Sequence, residues 1–155
     1  MAGLYPWLKL AHLVGAAVLL GTGAGIAFFM LMADRTGEPA TIHRVARMVV
    51  LADALFTATA VIAQPVTGAL LAHALGYSLT EGWIIKSLGL YVLVGVCWLP
   101  VVWIQLQIRD MAAQAVEAAT DMPARYHRLT RIWFWLGWPA FAGVIAIYWL
   151  MIVKP

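Results

Sequence analysis

Residues 6–32, PWLKLAHLVGAAVLLGTGAGIAFFMLM, carry only two ionisable side chains, Lys9 and His12, both near the start. A helix needs about 20 apolar residues to cross a bilayer core of about 30 Å. This stretch is long enough to span, and it lacks the basic lead-in of a cleavable leader. Three further stretches read the same way, at about residues 43–73, 83–108 and 132–153. The expected fold is all-α: a single domain over residues 1–155, built as a four-transmembrane-helix bundle.

Composition agrees. Hydrophobic residues make up 64% of the chain and charged residues 11%, with a mean hydropathy of +0.88. A soluble domain carries about 25% charged residues, because its surface faces water. The formal charge of +3 invites a nucleic-acid reading. The arginines instead fall in short loops between apolar spans, which argues against a nucleic-acid partner and for a lipid bilayer. The lone Cys97 excludes an intrachain disulfide and a cysteine-rich metal cage. It reads as a small buried or lipid-facing residue. The tryptophans near span ends suit anchoring at headgroup level.

The basic residues also set an orientation. Arg35, Arg44, Arg47, Arg109, Arg125, Arg128 and Arg131 flank the first and third loops, whereas Lys9, Lys86 and Lys154 lie at the opposite side. Lys and Arg favour cytoplasmic loops. Both termini are therefore expected on the non-cytoplasmic side of a bacterial-type inner (plasma) membrane, in a multi-pass arrangement.

Within the spans, Gly21 to Gly25 form a small-residue patch that allows close helix approach. Asp53, Thr57, Gln64 and Gly68 repeat at i, i+4, i+11 and i+15, so they predict one polar face turned into the bundle. The seam suits interhelical hydrogen bonds, with a proton path as the alternative. Pro65 predicts a kink. The polar, Ala-rich segment Arg109–Arg131 reads as a short surface helix between the third and fourth spans.

His12 stands several residues inside an apolar span, where an ionisable group is costly and marks a functional candidate. Neutral imidazole is a frequent metal and haem ligand. Gly15, Ala16 and Gly23 on nearly the same face would leave room for a flat macrocycle between helices. A structural role, with His12 simply hydrogen-bonded to a neighbouring helix, stays open. His73 reads either as a second ligand or as an interfacial residue. Lys86 reads as a ligand, as a propionate partner, or as a side chain reaching the interface. His43 and His127 sit among arginines and read as headgroup-level residues. The chain contains no phosphate-cradling loop, no His-Glu-x-x-His motif and no nucleophile with a positioned base.

The run Trp7-Leu8-Lys9-Leu10-Ala11-His12 resembles the Lys-x-x-His first helix of HemJ-type membrane protoporphyrinogen oxidases. Gln64-Pro65-Val66-Thr67-Gly68, Gly76-Tyr77, Gly82-Trp83-Ile84-Ile85-Lys86, Arg128-Leu129 and Lys154-Pro155 are similar to their later segments. The resemblance implies a haem b bundle with His12 on the haem iron and Lys86 near the cofactor; His73 and Lys9 stand beside them as further cofactor-binding candidates. Two motifs differ: Val96-Cys97-Trp98 stands where that family has a His, and Arg131 to Trp135 where it has Asn-Glu-x-Pro. As a whole the chain looks closer to an uncharacterised family of small four-helix predicted integral membrane proteins, itself similar to HemJ-type and CopD-like bundles. The phrases that carry this are Gly21-Thr22-Gly23, Gln64-Pro65 and Trp98-Leu99-Pro100-Val101-Val102-Trp103.

Three functions are expected, in order. The first is a membrane b-type haem protein with an electron-transfer or oxidoreductase role, working with a redox partner. HemJ-like porphyrinogen oxidation is its sharpest form, and any oxidoreductase form would make the chain a membrane enzyme. The second is a cofactor-free scaffold or anchoring subunit, in which the glycine patch and the polar stripe of the second span serve helix association, within the chain or between copies as a homo-oligomer. The third is copper handling.

Overall fold

The computed structural model describes residues 3–154. All regular structure among them is helical. Helix α1 spans Tyr5–Thr36, α2 Pro39–Ala52, α3 Ala58–Ala74, α4 Gly82–Ala118 and α5 Ala124–Val153. A single π-helical turn, Asp53–Thr57, joins α2 to α3, so Pro39–Ala74 is one span and four helices are long and apolar enough to cross a membrane. The C-terminal pair expected from Lys154-Pro155 is described only to Lys154, because Pro155 lies outside the described residues.

Local chemistry sets the helix ends. Gly37 adopts φ 66°, a left-handed cap that glycine tolerates without a Cβ clash, and Pro39 then opens α2. At the end of α3, Gly76 takes φ 75°, and the Tyr77 N–H reaches back to the Ala72 carbonyl at 2.9 Å. The Gly76 N–H reaches His73 in the same way, closing a Schellman motif. Helix α4 ends with the same device, but Ala119 occupies the left-handed position at φ 50°.

Residues 109–131 correct the expectation of a separate surface helix. Helix α4 runs on to Ala118, α5 begins at Ala124, and only a short turn parts them. Ala, Gln, Met and Glu here are good helix formers. Ile108, Ala112 and Ala115 continue the buried stripe at i, i+4 and i+7. Helix α4 therefore extends past the expected span end by about 15 Å, at about 1.5 Å per residue.

Packing is uneven along the bundle. Toward the Arg-rich end, α1, α2, α4 and α5 share a core of Ile26, Met30, Ile42, Ile104, Ile108 and Trp133, with Ala33, Ala46 and Ala112 letting the backbones close up. The Tyr126 hydroxyl donates to Asp34 Oδ1 at 2.6 Å, tying α5 to α1, and Arg125 donates to Gln107 at 3.1 Å across the α4–α5 hairpin. The opposite end has only a small cluster of Ala72, Trp83 and Ile84, with Tyr77 and Met151 against it.

The second span changes partner midway. Helix α2 packs mainly on α4, whereas α3 packs on α1. The π turn explains the change. Its Ala58 N–H bonds the Asp53 carbonyl, five residues back, and each extra residue swings the following helix by about 100°. The single polar face expected over Asp53, Thr57, Gln64 and Gly68 is therefore divided. Asp53 and Thr57 face α4, and Gln64 and Gly68 face α1. Pro65 does not end α3. It leaves the carbonyl of Val61 without its usual i+4 donor, and the Tyr91 hydroxyl of α4 supplies one.

Candidate functional site

Two places carry polar chemistry inside the spans. The first is the α1–α3 contact around His12. The His12 Nδ1 lies 2.8 Å from Thr67 Oγ1. The Thr67 hydroxyl has one proton, and it donates to the Ala63 carbonyl at 2.8 Å. With its proton there it accepts from His12 Nδ1–H, the tautomer that leaves Nε2 its lone pair; the same 2.8 Å contact also suits donation by Thr67 to an unprotonated Nδ1. Gln64 Nε2 donates to the His12 carbonyl at 3.0 Å. Two glycines make this approach feasible. A Cβ on Gly68 would stand 3.3 Å from His12 Cε1, and one on Gly15 would collide with the Gln64 amide.

The remaining sequence candidates do not converge on His12. Lys86 and His73 are exposed, on α4 and in the last turn of α3. Lys9 is exposed, with its ammonium 6.0 Å from the Tyr5 ring centroid, three residues before His12 and so on the same face of α1. Lys154 reaches over Tyr77 and Trp83, 5.0 and 5.7 Å from the ring centroids. His43 Nδ1 is 3.2 Å from the Arg109 carbonyl and serves the α2–α4 contact.

A haem at His12 is only partly matched by its surroundings. The donor atom is suitable in the Nδ1–H tautomer, where Nε2 is a free acceptor held in orientation through Nδ1, as ligating imidazoles are. The expected room beside it is taken: Gly15 is covered by Gln64, Gly68 by the imidazole itself, and the Ala16 carbonyl accepts the Tyr148 hydroxyl. Gly23 does face open space, but about 16 Å further along α1 at about 1.5 Å per residue. A macrocycle on Nε2 would therefore lie on the half-exposed flank of α1, with Lys9 within a turn. Among the described residues no three His, Cys, Asp or Glu side chains come together as a metal site, which offers copper no compact ligand set of those types.

The second place is a cavity of about 460 Å³ near mid-span, bounded by α1, the π turn, α4 and α5. On α1 the small residues Gly23, Ala24 and Ala27 are flanked by Leu19, Leu20, Ile26, Phe28 and Leu31, and the α5 wall is largely aromatic, with Trp133, Phe134 and Trp138. Phe28, Phe134 and Trp138 line it and are also exposed, so it opens sideways between α1 and α5. Asp53, Thr57, Trp98 and Gln105 supply its polar patch. Asp53 and Thr57 each retain 5% exposure and Gln105 only 1%. The polar seam was legible in the residues for Asp53 and Thr57. Gln105 and Trp98 were not singled out, because nothing in the α4 sequence marks them as neighbours of Asp53.

Four apolar helices with a laterally open interior define an integral membrane protein. The chain belongs to the family described as predicted integral membrane protein (DUF2269), whose model matches residues 6–155. No curated protein and no solved structure matches it.

Proposed function

We propose that this membrane protein is a b-type haem protein with an electron-transfer or oxidoreductase role, with His12 as its protein ligand to the haem iron. The observation that supports the reading most is the His12–Thr67 bond, which holds the imidazole through Nδ1 and turns Nε2 away from that contact. When bound, haem would supply one-electron chemistry. The chain's own residues would hold and orient it: Thr67 fixes the imidazole, and Lys9 is the nearest cation for a propionate. Lys86 and His73 remain cofactor-binding candidates by their exposed positions on α4 and in the last turn of α3. Helix α5 carries no Asp or Glu, so porphyrinogen oxidation through a carboxylate there has no donor in this chain. With the seven arginines in the cytoplasm, the His12 end and both chain ends would face outward from a bacterial-type inner membrane, and a redox partner would approach from that side.

The test is the visible spectrum, oxidised and dithionite-reduced, of protein purified in mild detergent from haem-replete cells. A Soret band is expected in the wild type and is lost in His12→Ala. Thr67→Val keeps the ligand but lowers haem affinity about 10- to 100-fold, the usual cost of removing a ligand's outer hydrogen bond. A colourless wild type that ignores added haemin sinks the reading.

A second reading, a cofactor-free scaffold that associates with itself or a partner, has one specific support. A Cβ added at Gly21 or Gly25 would meet nothing within 4 Å, and the spacing of the two glycines is that of a helix-docking motif.

A further inference from the structure

The mid-span cavity holds an unusual concentration of unpaired polar atoms. Asp53 Oδ2, Thr57 Oγ1, Trp98 Nε1, Trp133 Nε1 and both amide atoms of Gln105 are buried without a hydrogen-bond partner, and all five residues line the cavity. Thr57, Trp98 and Gln105 approach the Asp53 carboxyl as donors would, but none of them reaches hydrogen-bonding geometry with it. The ion pair found among the described residues is Arg109–Asp110, near the Arg-rich end, so Asp53 has no cation. Leaving such groups unpaired in a medium without water is costly. A π turn, which often marks a functional site, presents two of them.

The atoms specify what would pair with them. Asp53 Oδ2 and Gln105 Oε1 call for a donor, whereas Trp98 Nε1, Trp133 Nε1 and Gln105 Nε2 call for an acceptor. An ammonium only donates and would strand the N–H groups. A ketone or ester only accepts and would strand the carboxylate. A hydroxyl does both. The rest of the wall is apolar and aromatic, which suits a ring and hydrocarbon body. The sideways mouth between α1 and α5 admits a molecule already dissolved in the bilayer.

We propose that the cavity between α1, the π turn, α4 and α5 is a binding site for a lipid-soluble phenol or quinol, whose hydroxyl is held by Asp53, Gln105 and Trp98. The site does not use His12 and stands independently of the haem reading.

The test compares equilibrium binding of tritiated 4-nonylphenol and of its methyl ether to the full-length protein in nanodiscs, with empty nanodiscs subtracted. The phenol binds saturably, about tenfold or more tighter than the ether, which has lost the donated hydrogen bond. Gly137→Leu and Gly23→Leu both fill the cavity from positions where a Cβ meets nothing within 4 Å, and both abolish saturable binding. Gln105→Leu brings the phenol close to the ether. His12→Ala leaves phenol binding unchanged. No saturable component, equal binding of phenol and ether, or wild-type binding by both glycine variants overturns the proposal. Any of those results would leave the polar atoms to buried water. Loss of phenol binding in His12→Ala would overturn it too, by moving the site to the α1–α3 contact.

Discussion

The Arg-rich half of the bundle and the half that carries His12 use the same four spans, yet they are held together differently. In the first, small residues bring helices close and large apolar side chains interlock: Ala46, Ile108 and Ala112 are fully buried. In the second, contacts are pairwise. Helix α1 meets α3 through His12, Thr67, Gln64 and two glycines, and α4 meets α5 through Gly143, where a Cβ would stand 2.6 Å from Val94 Cγ2. In lipid, burying apolar surface drives helix association weakly, so packing fit and interhelical hydrogen bonds decide. One half relies mainly on fit and the other mainly on specific pairs. The cavity lies where the two regimes meet.

That contrast is open to direct attack by substitutions scored as unfolding free energies in mixed micelles. Ile108→Ala should have the largest effect, about 2–5 kcal/mol, because the interlocked core cannot collapse onto the missing side chain. Leu13→Ala, at 57% exposure on α1 in the other half, is the matched control and should fall within about 0.5 kcal/mol. Equal losses would erase the distinction. Gly143→Ala should cost about 1–3 kcal/mol by forcing α4 and α5 apart, with the loss concentrated at the His12 end. Tyr91→Phe removes the donor that serves the carbonyl freed by Pro65, at about 1 kcal/mol. Ala119→Gly should stabilise by about 1 kcal/mol, because glycine relieves the left-handed strain in the α4–α5 turn.

The comparison also explains which sequence readings survive. The four spans were legible because the hydrocarbon core demands length and apolarity, and both are properties of each segment alone. The continuation of α4 through Ala112 and Ala115 was written in a helical period that the polar composition of residues 109–118 obscured. The division of the polar seam was not legible. Asp53, Thr57, Gln64 and Gly68 share a face on a regular helix, and no residue type announces a π turn.

His12 was identifiable as an ionisable group in an apolar run, but its hydrogen-bond partner, Thr67, lies 55 residues away. Lys86 and His73 could be placed at the same height by counting residues, and their exposure followed only from how the helices rotate. What the sequence by itself determined is a membrane protein of four helices, since the bilayer tests each span separately. The pairing of α2 with α4 and of α3 with α1 was decided only by the tertiary structure. So were the convergence of Gln105 and Trp98 on Asp53 and the gap between α1 and α5. Helix rotation and close approach are joint properties of two surfaces, and neither surface specifies them alone.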